Sequence, residues 1–122
     1  MNQDKYKKFI DDIKNKLHKY KTDFEIPYDI HLNDDCSILI INDQEYKTNL
    51  SDDKFHNEVA SLKSSGYSEY GIDVLMEIEY YYPLLSILHK GLAPYLGVEE
   101  DQVSRTLLKN ILYKQHKNCI KN

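Results

Sequence analysis

The sequence predicts an α+β fold: an N-terminal helix, a three-stranded antiparallel meander and a helical C-terminal half, in one domain over residues 1–122. Three observations carry this expectation. Apolar residues recur at steps of three and four from Tyr6 to Tyr20. Alternating and then continuous β-branched residues follow between Ile26 and Ile41, separated by polar turns. Beyond Asn49, hydroxyl caps and glycines punctuate segments of helical spacing. At 122 residues the chain is long enough to bury a core without covalent or metal staples.

The first helix places Tyr6, Phe9, Ile10, Ile13, Leu17 and Tyr20 on one face and lysines on the other, ending near Lys21–Asp23. Ile26, Tyr28, Ile30 and Leu32 alternate with Pro27, Asp29 and His31, the period of a half-buried strand. After the turn cluster Asn33-Asp34-Asp35, the run Ser37–Ile41 reads as the most buried strand. Asn42-Asp43 makes a short hairpin into a third strand over Gln44–Asn49. Residues 1–50 thus hold the helix and sheet, and residues 51–122 the helices.

Ser51 followed by Asp52 and Asp53 starts a helix, because a hydroxyl cap and two acids suit the positive end of the helix dipole. Phe55, Val59 and Leu62 point inward, and Gly66 ends the helix near Ser65. Ser68 caps the next, with Ile72, Leu75, Met76 and Ile78 as its apolar face. Pro83 is expected to kink or restart that helix, Gly91 and Pro94 to disturb it, and Gly97 to turn the chain. A last helix is expected over about Glu99 to His116.

Charge is distributed by segment. Residues 1–22 carry +4, residues 23–104 carry −13 and residues 105–122 carry +5, for a net charge of −4. The chain is an acidic body with two basic ends. No apolar run approaches a membrane span, and the N-terminus lacks the apolar core of a secretion signal, so a cytoplasmic location is expected. Cys36 and Cys119 match no metal or redox spacing; reduced thiols are expected, one buried at a strand start and one in the tail. Fifteen of the sixteen basic residues are lysine, alongside many Ile, Asn and Tyr, a bias toward AT-rich codons that fits a low-GC bacterium, or its phage or mobile element.

One segment carries a recognisable spacing. Ala93, then Gly97 four residues on, then Val103 six further, provide a small residue for close helix crossing, a residue free to take positive φ, and a branched anchor. Leu92, Leu96, Val98 and Leu107 supply packing residues around them. Over residues 92–108 this resembles the helix-turn-helix of LacI- and GntR-type repressors, and the element would extend over 92–116. The resemblance implies that Glu99–Asp101 open a recognition helix. It also makes Gln102, Ser104, Arg105 and Lys109 candidates for base or phosphate contact, with Lys114 and Lys117 continuing the basic side. Arg105 is the only arginine in the chain. The same spacing also serves any two helices packed across a glycine turn, and such an element works equally as a protein-binding surface.

Two further features bear on partners. Tyr80-Tyr81-Tyr82 are consecutive on a helix and point in different directions, so at least one is expected to be exposed for contact with a partner protein, beside Glu77 and Glu79. Acids at Asp34, Asp35, Asp43, Glu45, Asp52 and Asp53 gather around the turns, and Glu69, Asp73, Glu77 and Glu79 follow. Such carboxylates either solubilise the chain or imitate nucleic-acid phosphates. Catalysis is not expected: no phosphate loop, nucleophile elbow, zinc-helix motif or cysteine pair is present. No cofactor or small-molecule ligand is expected, and no membrane contact. The expectation is a non-enzymatic binding protein in DNA transactions, an accessory subunit of a replication, repair or regulatory complex, or a regulator. A protein partner, DNA through residues 102–121 and homodimerisation are its candidate contacts. The alternative is an acidic inhibitor or immunity protein that blocks a nucleic-acid enzyme.

Overall fold

Six-fold repetition of an apolar residue at every fourth position organises the second half of the chain. Ile72, Met76, Tyr80, Leu84, Leu88 and Leu92 are all buried along a single helix. The computed structural model describes the backbone of residues 2–121 and the side chains of residues 5–116. Its elements are α1 (Asn2–Asp23), β1 (Ile30–Leu32), β2 (Ile38–Ile41), β3 (Gln44–Lys47), α2 (Asp52–Ser64), α3 (Glu69–Leu96), a 3₁₀ turn (Glu100–Gln102) and α4 (Val103–Lys121). The architecture is α+β, with an antiparallel sheet in the order β1-β2-β3.

The sheet is covered on one face. Ile30 pairs with Ile41 and Leu32 with Leu39, and all four side chains are buried toward α1 and α3. Ile38 and Ile40 point the other way and are only half-buried. β2 therefore alternates instead of being buried throughout, because no layer covers its second face. The first strand starts at Ile30 and not at Ile26. Residues 24–29 close α1 instead, with Glu25 at φ +48° and the Ile26 amide donating to Lys21 O at 3.0 Å. Asn42, at φ +45°, opens the two-residue hairpin, and its Oδ1 accepts from the Asp29 amide at 2.9 Å, extending the β1 edge by one residue.

The helix starts follow the hydroxyl caps. Ser51 Oγ accepts from the Lys54 amide at 3.4 Å, and Ser68 Oγ from the Gly71 amide at 3.1 Å. Tyr6, Phe9, Phe55 and Tyr80 then form an aromatic cluster joining α1, α2 and α3, with ring centroids 5.1 Å apart for Tyr6–Phe55 and 4.9 Å for Phe9–Phe55. The buried side chains from α1 through α4 constitute one core.

α3 departs most from expectation. It runs for 28 residues without restarting at Pro83 or breaking at Gly91 and Pro94. Pro83 has no amide hydrogen to donate to Glu79 O, and Asn49 Nδ2 donates there instead, at 3.3 Å. Gly91 is where α3 lies against the sheet: a Cβ there would overlap Ile41 Cδ1 and sit 3.2 Å from the Tyr46 ring. Pro94 is exposed in the last turn. α4 begins at Val103, later than the expected Glu99, because residues 100–102 form the 3₁₀ turn. Glu100 and Asp101 thus precede α4 and do not form its first turn.

Candidate interaction surface

The fourth-residue repeat of α3 has a counterpart on its outer side. Tyr70, Val74, Ile78 and Tyr82 form a row at the same spacing, and all four are exposed. Tyr70 protrudes most, at 80% exposure. Tyr67 and Leu75 lie exposed beside the row. Single exposed apolar residues need no explanation, but a contiguous patch of this kind marks an interaction site. At the C-terminal end of the row a groove of about 640 Å³ opens between α3 and the loop after β3, lined by Thr48, Asn49, Ile78, Tyr82, Pro83 and Ile87 among others.

Two of the acids flanking the row are ion-paired. Lys5 Nζ lies 3.2 Å from Asp73, and Lys16 pairs with both Glu77 and Asp12. Lys16 also sits 5.3 Å from the centroid of the Tyr81 ring. Although partial burial works against its charge, hydrogen bonds to Glu77 and Asp12 raise the Lys16 pKa on balance. The lysines of α1 and the carboxylates of α3 thus answer each other across the helix pair.

The three consecutive tyrosines separate as their helical directions require. Tyr80 is buried in the aromatic cluster, its hydroxyl donating to Glu58 Oε1 at 3.2 Å, which removes it from the set of partner contacts. Burial, followed by the adjacent Glu58 carboxylate, pushes its phenol well above the ordinary range. Tyr81 is half-buried beneath Lys16, and burial raises its pKa too. Tyr82 is exposed and belongs to the outer row, while Glu77 is ion-paired and Glu79 exposed. Leu75 and Ile78, expected inward, face solvent. Tyr67, Tyr70 and Val74 were not among the expected contacts. Their signal was a second, offset fourth-residue repeat, hidden by the denser apolar pattern of the inner face.

At the C-terminal end of α3, Gly97 takes φ +68°, and the Val98 amide donates to Ala93 O at 3.2 Å. Ala93, Val103 and Leu107 are buried. Gln102, Ser104, Arg105, Lys109 and Lys114 are exposed, and the Lys117 side chain lies outside the described residues. Arg105, Lys109, Leu112 and His116 follow one outward line on α4, with Leu108 and Tyr113 exposed on either side. Neither Arg105, Lys109 nor Lys114 is paired with a carboxylate among the described residues.

His89 ties α1 to this end of the molecule. Its Nε2 is 3.0 Å from the Tyr20 hydroxyl and 3.1 Å from Ser104 Oγ. Burial lowers the imidazole pKa below its ordinary 6.5, with the charge of Glu100 opposing. Cys36 is buried at φ +62°, two residues before β2, and burial pushes its thiol up to about 11, unlike a reactive cysteine. No group of three or more His, Cys, Asp or Glu side chains is placed to hold a metal ion among the described residues. No described helix is long and apolar enough to cross a membrane. No protein-family model, curated protein or solved structure matches the chain.

Proposed function

We propose that this chain is a non-enzymatic binding protein whose principal working surface is the outer row of α3, and that it serves as an accessory or regulatory subunit in DNA transactions. The observation that carries the docking reading is the line Tyr70, Val74, Ile78 and Tyr82, left exposed beside a groove. Tyrosine combines a large apolar area with a polar tip, the chemistry favoured at protein contacts. Affinity capture with the full chain tests this directly. Protein partners held by wild type and released by the Tyr70→Ser/Ile78→Ser double variant, with unchanged circular dichroism, support the reading. Equal capture by both proteins overturns it.

The nucleic-acid side of the proposal rests on a separate observation: Arg105, Lys109 and Lys114 on α4 are unpaired among the described residues, and residues 103–121 contain no acid. Mobility of duplex and single-stranded DNA is to be compared at two salt concentrations, since phosphate contacts weaken steeply with salt. Salt-sensitive binding lost in Arg105→Ala/Lys109→Ala supports contact through α4. No binding at low salt overturns it and leaves protein docking alone.

A further inference from the structure

We infer that the occupant of the α3 row is a second copy of this chain, docked about a two-fold axis with the two α3 helices antiparallel. The inference rests on the docking reading above and names the partner. Read from either end, the row runs tyrosine, β-branched aliphatic, β-branched aliphatic, tyrosine, at four-residue steps. In a two-fold contact, where residue i of one copy meets residue j of the other, j also meets i, and this row then sets like against like. Tyr70 then lies opposite the partner's Tyr82, and Val74 opposite the partner's Ile78.

Relief agrees with chemistry. Tyr70 is the most exposed large apolar side chain described, and the groove opens beside Tyr82, twelve residues or about 18 Å further along the helix. Antiparallel two-fold docking brings each Tyr70 to the shallow groove of the other copy, so both ends of the row are used twice. With Tyr67 and Leu75 added, the row exposes on the order of 600–700 Å² per copy, and complete burial on both copies reaches the lower end of the roughly 1,200–2,000 Å² range of stable interfaces.

Charge beside the row is partly balanced within each copy. Asp73 and Glu77 flank the row, and each already carries a lysine from α1, Lys5 and Lys16 respectively. Where two such flanks meet, Asp73 and Glu77 each bring a lysine, whereas Glu69 and Glu79 are exposed and make no ion pair among the described residues.

Sedimentation equilibrium of the full chain, from low micromolar to several hundred micromolar, tests the inference. A doubling of mass is expected, with Tyr70→Ser weakening self-association at least tenfold. Ile78→Asp should remain monomeric throughout with unchanged circular dichroism and unfolding midpoint, because Ile78 is exposed in the single chain. Arrangement is read in a Cys119→Ser background by mixing Val74→Cys and Ile78→Cys chains under mild oxidation. The mixed disulfide should exceed either homodisulfide. A monomer at every concentration, a dimer that survives Ile78→Asp, or a preference for homodisulfides overturns the inference. If wild type is monomeric while partner capture still depends on Tyr70 and Ile78, the docking reading stands and only the second copy is wrong. If neither holds, both fail.

Discussion

Pro83 withholds an amide hydrogen, and Asn49 supplies the missing donor to Glu79 O from the loop after β3. The two residues should therefore be coupled. Asn49→Ala is expected to destabilise by about 1 kcal/mol, and by distinctly less in a Pro83→Ala background, where the helix makes its own bond. Equal effects in both backgrounds, measured by urea unfolding, would remove the explanation. Gly91 makes a second local prediction. Alanine there gains about 1 kcal/mol of helix propensity, but its Cβ overlaps fully buried Ile41, and overpacking of this kind costs about 1–3 kcal/mol. Gly91→Ala should lower stability, and adding Ile41→Val, which deletes Cδ1, should restore part of it. His89 sets a pH dependence. Its pKa is lowered in the folded protein, so the unfolded chain binds the proton more readily. Stability present above the ordinary 6.5 is accordingly lost as pH falls from there through the folded value. His89→Gln should flatten the profile of unfolding midpoints between about pH 5 and about pH 7.5 relative to wild type. An identical slope in both proteins would show that His89 does not carry it. Neither Asn49 nor Ile41 announces its role in the sequence, because each partnership joins positions far apart in the chain.

At the level of elements, local chemistry was legible and long-range contacts were not. Ser51 and Ser68 mark their helices because capping is decided within three residues, and Gly97 takes the positive φ expected of it. The donor that replaces the missing Pro83 amide was not local, since it comes from another element. The run Ser37–Ile41 could not reveal that only one face of the sheet would be covered. Nor could the adjacency of three tyrosines show which one enters the aromatic cluster. α4 invites a prediction at this scale. Among its described side chains, Val103 and Leu107 are the fully buried anchors, while Leu108, Leu112 and Tyr113 are exposed. Leu107→Ala should therefore destabilise by about 2–5 kcal/mol. The loss should appear first as faster hydrogen exchange in α4, with the aromatic cluster of α1, α2 and α3 still protected. Uniformly faster exchange throughout would mean that α4 unfolds only with the whole.

Across the whole molecule, the contrast between an acidic body and basic ends is partly resolved internally, because Lys5 and Lys16 of α1 meet Asp73 and Glu77 of α3. Arg105, Lys109 and Lys114 on α4 have no carboxylate partner among the described residues, while α3 exposes an apolar row. The pitch of that apolar row has a consequence for shape. Rows of every fourth residue incline by about 26° to a helix axis, so two of them run side by side only when the axes cross at about −50°. The pair of α3 helices should then form an X, not a parallel-sided bundle with its shallow angle of about 20°. Small-angle scattering of the dimer distinguishes these two forms by their maximum dimension, because the crossed arrangement splays the ends of the two α3 helices apart.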